Sequence, residues 1–190
     1  LLIHDPVVIE HRPSHFGLGP GDGLRIWVCP VAAGEHLVAV ANRIEEIEAL
    51  TAGGTVTRGA GSVTVMGSGR VTSADVDLTE ASELTCIVAA LLALSPDGGR
   101  IRGVGHIRGH ETDRLAALES ELNACGARVE QTPDGLLIAP GLLHGGMWGT
   151  YADHRMAHAG AVLGLAVPGV VLEDVGATTK TMADFPGLWA

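Results

Sequence analysis

The sequence of 190 residues has few aromatic side chains, one lysine and no long hydrophobic run. Aromatic residues make up 3% of the chain, and Lys180 is the single lysine. The formal net charge is -10, so the chain lacks the clustered cations that contact a phosphate backbone, and we expect no binding to nucleic acid. Apolar runs such as residues 86–94 are far shorter than the roughly 20 residues of a membrane-spanning helix. No signal-peptide pattern is present, and we expect no membrane partner.

Cysteines are also scarce. Cys29, Cys86 and Cys125 are scattered and form no CxxC motif, a pattern that predicts free thiols in a reducing compartment such as the cytoplasm. What the chain does contain is 46% hydrophobic residues and 27 glycines, which predicts a core of Ala, Val and Leu with many tight turns. The first residue is Leu rather than Met, and we expect a piece of a longer chain.

Two sequence elements are each repeated at a spacing of roughly 70 to 80 residues. The segments that start at Arg43 and Arg114 both read as an amphipathic helix, a Gly stop and two strands joined by a turn, the second turn being 132–135. The segments that start at Asp75 and Asp153 both read as a polar opening, a helix buried on all sides and a short strand. Together they predict a mixed α/β (α+β) fold of repeated βαβαββ units around buried helices. We expect one domain over 43–190 and an atypical N-terminal segment over 1–42.

Charged residues gather where loops of this repeat lead into helices. Asp153 is a suitable helix N-cap, and His154 and Arg155 follow in the first turn. Arg at a helix N-terminus is unfavourable unless an anion binds there, because the helix dipole is positive at that end. The alternative is an ordinary ion pair between Arg155 and Asp153 or another carboxylate. His154 and His158 stand four residues apart, but no HExxH motif and no convincing third ligand accompany them, so we expect His158 to be a packed or half-exposed helix residue and expect no metal site.

Three further clusters have both a functional and a structural interpretation. His110, Glu111 and Arg114 either line a pocket for an anionic substrate or form a solvated first turn capped by Thr112 or Asp113. Lys180 is either a phosphate or carboxylate ligand or a solvated surface lysine. Glu80 and Glu83 are either functional carboxylates or ordinary helix-capping ones. Because equivalent joints of a repeat fold lie on one edge, the clusters are expected to converge on one site that binds a small, multiply anionic substrate.

Three of these segments resemble the C-terminal domain of EPSP synthases, 3-phosphoshikimate 1-carboxyvinyltransferases, in the actinobacterial form. They are "HETDRLAALESEL" from residue 110, "YADHRMAHAGAVLGL" from residue 151 and "ATTKTMADFPGLW" from residue 177, in the family's order and spacing. The resemblance is clear from about residue 72 to the end and extends back to about residue 43. It implies a domain of βαβαββ units, one half of a two-domain enzyme whose N-terminal domain is absent here.

The resemblance also implies an activity. The family transfers the enolpyruvyl group of phosphoenolpyruvate to the 5-hydroxyl of shikimate 3-phosphate, by addition and elimination, without a metal or an organic cofactor. Glu83 would then contact the shikimate hydroxyls as a candidate base, and Glu111 would move the proton at the phosphoenolpyruvate methylene. Lys180 would lie at the phosphoenolpyruvate and glyphosate site. The other substrate-binding positions that the resemblance implies are His110, Arg114, His154 and Arg155.

Some features depart from the family's pattern. His110 stands where many members have Lys, and His158 replaces the common Met after "DHRMA". Residues 1–42 do not match the pattern. Two alternatives to the main interpretation are a non-catalytic anion-binding domain of the same fold and an enolpyruvyltransferase that acts on UDP-N-acetylglucosamine. "HETDR" and "DHRMA" argue against the latter. Taken alone, the chain is expected to carry about half of an active site and to have little or no activity.

Overall fold

The computed structural model describes the strand residues 8–10, 23–27, 55–59 and 62–66 and the continuous stretch 71–189. The chain divides into two compact units, Leu1–Thr72 and Ser73–Ala190. The domain boundary predicted between residues 42 and 43 lies outside the described residues, as does the helix predicted from Arg43.

The first unit contains a four-stranded antiparallel sheet. Its strands are β1 (Val8–Glu10), β2 (Gly23–Trp27), β3 (Thr55–Gly59) and β4 (Ser62–Met66), in the order β1-β2-β4-β3. Strands β3 and β4 pair as a hairpin in which Gly59 lies opposite Ser62. This hairpin confirms the two strands predicted after the first Gly stop.

The second unit opens with one complete βαβαββ repeat, as the sequence predicted. Its elements are β5 (Ala74–Asp77), α1 (Thr85–Ala93), β6 (Gly99–Arg102), α2 (Arg114–Ala124), β7 (Arg128–Thr132) and β8 (Gly135–Ala139). Strand β5 pairs parallel to β6, and β8 pairs antiparallel to both β6 and β7. A parallel pair needs a crossover connection, and α1 supplies it.

Helix α1 is buried on all sides, which its sequence of apolar and small residues permits. Seven of its nine residues are buried, and it packs against α2 and the sheet. Helix α2 is amphipathic and lies on the same sheet, with Leu115, Leu118 and Leu122 fully buried. The chain then reverses at Gly126, whose φ of 88° is in the left-handed region that glycine tolerates.

The next repeat begins with a short parallel pair of strands around a second buried helix. Strand β9 (Met147–Trp148) pairs with β10 (Val171–Leu172), and helix α3 (His154–Gly164) lies between them in sequence. A 3-10 helix, Val175–Lys180, and helix α4 (Phe185–Trp189) follow. Gly160 allows α3 to approach the buried Trp148, since a Cβ there would come within 2.6 Å of the indole ring. The Trp148 indole N–H donates to the carbonyl of Met156 at 2.9 Å.

Helices α1, α2 and α3 pack against one another, and the 3-10 helix Val175–Lys180 packs against α3. The first turns of α2 and α3 and the end of that 3-10 helix therefore lie close together, as expected for equivalent joints of a repeat. Within the described part of the chain, no helix is both long and apolar enough to cross a membrane.

Candidate active site

The site is built around a buried ion pair between the first turns of α2 and α3. Arg114 donates from Nε to Asp153 Oδ2 at 2.7 Å and from Nη2 to Asp153 Oδ1 at 3.3 Å. The side chain of Arg114 is 5% exposed and that of Asp153 is fully buried. Burial alone would raise the pKa of Asp153, but the Arg114 guanidinium and the Arg155 amide outweigh it and hold that pKa below its usual value.

Both helices begin with the caps that the sequence predicted. Asp153 accepts the backbone N–H of Arg155 at 2.8 Å and is the N-cap of α3. Asp113, one of two candidates for α2, accepts the backbone N–H of Ala116 at 3.1 Å. Asp153 therefore has two functions, of which only the cap was foreseen. Its carboxylate pairs with Arg114 and not with the guanidinium of Arg155, so the alternative that paired Arg155 with Asp153 is wrong.

Glu111 lies between the cations Lys180 and Arg114 and the imidazole of His154. One oxygen contacts the Lys180 ammonium, and the other lies 3.4 Å from His154 Nδ1 and 3.7 Å from Arg114 Nη2. The hydrogen bond from Lys180 is the largest cause of a lowered Glu111 pKa, with a contribution from His154. Glu111 is 32% exposed and Lys180 is 65% exposed, so this group faces solvent while the Arg114–Asp153 pair beneath it does not. The arrangement holds an ionised carboxylate beside the Lys180 ammonium, which is open to a ligand.

The three remaining predicted residues, Glu83, His110 and Arg155, join this group through the first turns of α2 and α3. Arg155 donates from Nη1 to the backbone carbonyl of Glu83 at 3.0 Å, which ties the 3-10 turn Ser82–Leu84 ahead of α1 to the first turn of α3. His110 is exposed, and its Nδ1 lies 3.2 Å from Arg114 Nη1. Contacts therefore link all seven residues predicted for the site, with Asp153 as the connection between Arg114 and Arg155. Glu80 lies in an exposed turn outside this network.

The donors near His154 were tested for a metal site. Ligand atoms of Glu111, Asp153 and His154 lie within 4.8 Å of one another. Asp153 is already bound by a guanidinium and Glu111 by an ammonium, and both cations would repel a metal ion. The absence of a metal stays a prediction.

His158 packs as a helix residue, as the sequence predicted. Its ring centroid lies 4.8 Å from that of Phe185 on α4 and 6.1 Å from that of His154. Its Nε2 is buried without a hydrogen-bond partner. Burial is the main cause of a lowered His158 pKa, so the neutral ring is favoured. His158 does not belong to the group of possible metal ligands formed by Glu111, Asp153 and His154.

The fold and the sequence were compared with those of known proteins. A sequence model of the family EPSP synthase (3-phosphoshikimate 1-carboxyvinyltransferase) matches residues 32–189, and so begins within the segment over 1–42 that had no recognised pattern. A curated 3-phosphoshikimate 1-carboxyvinyltransferase from Kocuria rhizophila is 54% identical over 138 residues, which cover 73% of this chain and 31% of the relative. The chain thus spans about a third of the length of the curated relative that it matches.

Solved structures show the same fold at low sequence identity. An EPSP synthase from Acinetobacter baumannii superposes with a TM-score of 0.65 at 20% identity, over 75% of this chain and 37% of the other. The enolpyruvyl transferase NikO from Streptomyces tendae gives a TM-score of 0.59 at 20% identity, over 80% of this chain and 34% of the other. These likenesses confirm the fold expected from the repeat. Membership of a family is shown by the sequence model: its match over 32–189 establishes that the chain belongs to the EPSP synthase (3-phosphoshikimate 1-carboxyvinyltransferase) family.

Proposed function

We propose that this chain forms one side of the active site of an enzyme that converts phosphoenolpyruvate and shikimate 3-phosphate into 5-enolpyruvylshikimate 3-phosphate and phosphate. The observation that carries this proposal is the position of Glu111 between Lys180 and His154, directly above the buried Arg114. A substrate with a phosphate and a carboxylate needs several cations in one place, together with a group that can carry a proton.

The proposed reaction has two steps. The 5-hydroxyl oxygen of shikimate 3-phosphate attacks C2 of phosphoenolpyruvate while a proton adds to C3, which gives a tetrahedral intermediate. Loss of phosphate from C2 and of a proton from C3 then restores the double bond. Glu83 accepts the hydroxyl proton, and Glu111 serves the proton at C3. Cations stabilise the phosphate and carboxylate charges through both steps.

The groups proposed to bind the anion differ in exposure. Lys180 and His110 are exposed and can reach a ligand with little rearrangement, whereas the charge of Arg114 is held in place by Asp153. Arg155 uses Nη1 to contact the carbonyl of Glu83 and has further N–H groups for a phosphate or carboxylate. We propose that these four residues bind phosphoenolpyruvate, and that glyphosate would bind at the same place.

The other side of the site belongs to a partner domain. The chain covers 31% of its Kocuria relative, and we propose that an N-terminal domain closes over the Glu111 surface and excludes water during the reaction. The two described cysteines, Cys86 and Cys125, are buried free thiols. They support a cytoplasmic location, as expected for a step of aromatic amino-acid biosynthesis.

The test is phosphate release from phosphoenolpyruvate and shikimate 3-phosphate. The 190-residue chain is mixed with the separately produced N-terminal portion of the Kocuria enzyme, and the Glu111→Gln variant is the matched control. Activity that needs both parts and falls at least a hundredfold in the Glu111→Gln control would support the proposal. A fall of this size is expected when a group that carries out general acid–base catalysis is removed. A folded chain that binds the added portion without activity would favour the non-catalytic anion-binding alternative. Activity on UDP-N-acetylglucosamine instead would favour the other transferase.

A further inference from the structure

The turn ahead of α3 has an unusual backbone. Tyr151 and Ala152 have φ values of 55° and 53°, in the left-handed region that residues with a Cβ rarely adopt. Two such residues in succession persist only where the surroundings hold them. They come directly before Asp153, so the position of the α3 cap depends on this turn.

Glu121, in the second half of α2, accepts a hydrogen bond from the turn with each of its carboxylate oxygens. Oε2 accepts the backbone N–H of Gly149 at 2.8 Å, and Oε1 accepts the Tyr151 hydroxyl at 2.7 Å. Glu121 is 9% exposed, so its carboxylate end of both bonds is shielded from water. The carboxylate approaches the backbone so closely that a Cβ at Gly149 would lie 3.1 Å from Oε1. The hydrogen bond to Glu121 is also the largest cause of a raised Tyr151 pKa.

The turn is tied to the proposed active site by two further bonds. The backbone N–H of Asp153 donates to the carbonyl of Thr150 at 2.8 Å, which closes the turn. The Asp153 carboxylate then receives Arg114 and the backbone N–H of Arg155. Helix α2 thus holds this segment at two points, Arg114 and Glu121, which lie about 10 Å apart along the helix axis.

We propose that Glu121 is a positioning residue that holds the Gly149–Tyr151 turn and thereby fixes Asp153 and Arg155 at the N-terminus of α3. Glu121 makes no contact with Glu111 or Lys180 in the part of the chain that the structure describes, and it acts through the turn. The consequence of this role for substrate binding depends on the proposed function: a displaced N-terminus of α3 would weaken the binding of phosphoenolpyruvate by Arg155.

The experiment compares three variants of the full chain. Glu121→Met removes both acceptors at similar size. Glu121→Gln keeps one acceptor for Gly149 and an amide that can donate to the Tyr151 oxygen, so it is the conservative rescue. Glu119→Met is the matched control, because Glu119 lies on the same helix and also uses both oxygens, on the backbone and side chain of Gln131 in strand β7.

The decisive readout is residue-resolved amide hydrogen exchange at Asp153 and Arg155. Neither amide touches Glu121, so a change there reports the turn and not the loss of the hydrogen bond to Gly149. Glu121→Met should speed both by about tenfold or more, the effect of losing two ordinary hydrogen bonds from a local opening. Glu121→Gln should have a smaller effect, and Glu119→Met should leave both amides unchanged. Unchanged exchange at both amides in Glu121→Met would overturn the proposal.

Two additions keep the result interpretable. If Glu121→Met fails to fold, Tyr151→Phe removes one bond at a partly exposed ring, and it should speed the same two amides by a smaller factor; no change would overturn the proposal. In the two-part activity mixture, Glu121→Met should raise the KM for phosphoenolpyruvate about tenfold, as for the loss of one hydrogen bond between a displaced Arg155 and the anion, and leave that for shikimate 3-phosphate within about twofold. Equal rises in both values would count against a positioning role. An inactive wild-type mixture with the expected exchange pattern would contradict the proposed function and leave the Glu121 proposal supported.

Discussion

Replacing Asp153 by Asn tests whether the buried ion pair organises the site. The Asn side chain keeps an oxygen for the α3 cap and removes the negative charge that faces Arg114. Removal of one partner from a buried pair costs roughly 3 to 5 kcal/mol, because the other charge is left without compensation. Glu111, 3.7 Å from Arg114, supplies part of that compensation. We therefore expect a loss near the lower limit, about 3 kcal/mol in the free energy of unfolding.

Urea unfolding of the full chain measures this loss, with Asp97→Asn in the exposed turn after α1 as the control. The control should lie within about 0.5 kcal/mol of the wild type, as surface substitutions usually do. The pKa of Asp153 is lowered from 3.8 in the folded chain, so its contribution is complete above about pH 4 and is lost as the pH falls through the folded value. The difference between wild type and Asp153→Asn should shrink accordingly under acid conditions.

A double variant separates the ion pair from its surroundings. Replacing Arg114 by Met as well as Asp153 by Asn removes the uncompensated charge, and we expect at least about 1 kcal/mol of the loss to be recovered. A cost below about 1 kcal/mol for Asp153→Asn alone would refute the reasoning, since it would mean that the Arg114 charge is solvated or paired elsewhere.

Three further predictions concern other described residues. His158→Met should stabilise the chain by about 1 kcal/mol, because it removes a buried ring nitrogen without a partner. The lowered His158 pKa means that wild-type stability falls as the pH drops below about 6.5, and thermal unfolding at pH 5.5 and 8 should show a smaller fall in the variant. Burial raises the pKa of Cys86 to about 12, so its alkylation at pH 8, followed by mass spectrometry, should be much slower in the folded chain than in urea. Lys180→Gln should raise the Glu111 pKa towards its ordinary value, and the limb of the activity profile that disappears in Glu111→Gln should shift to higher pH. Equal stability of wild type and His158→Met would contradict the first prediction. Equal alkylation rates of Cys86 in the folded chain and in urea would contradict the second, and an unchanged pH profile in Lys180→Gln would contradict the third.

Local patterns in the sequence predicted much of this fold. The alternation of strands and helices in the second unit, the cap residues Asp113 and Asp153 and the turn at 132–135 all depend on near neighbours, and the structure confirms them. The charged residues at the entrances of α2 and α3 and Lys180 do lie together, as the repeat predicts, whereas Glu83 is linked to them only through its backbone carbonyl and Glu80 lies outside the network.

The partners of individual side chains could not be predicted in this way. Arg114 and Asp153 are 39 residues apart, and Glu121 and Tyr151 are 30 apart, so neither pairing leaves a signal in the local sequence. Glu121 lies in the second half of an amphipathic helix, and no motif around it indicates a functional residue. The consecutive left-handed residues Tyr151 and Ala152 likewise depend on tertiary contacts and not on glycine.

The two ion pairs of the site differ in what they can contribute to the proposed reaction. The Arg114–Asp153 pair is almost wholly buried, so its separation would leave two buried charges without compensation. The pair therefore stays closed and fixes the geometry of the site. The Lys180–Glu111 pair is largely exposed, and exposed pairs are worth little, so an incoming phosphate or carboxylate can recruit Lys180 at small cost. Loss of the Lys180 hydrogen bond removes the main cause of the lowered Glu111 pKa and makes Glu111 easier to protonate. Substrate binding would then itself prepare Glu111 to carry the proton that the addition step needs.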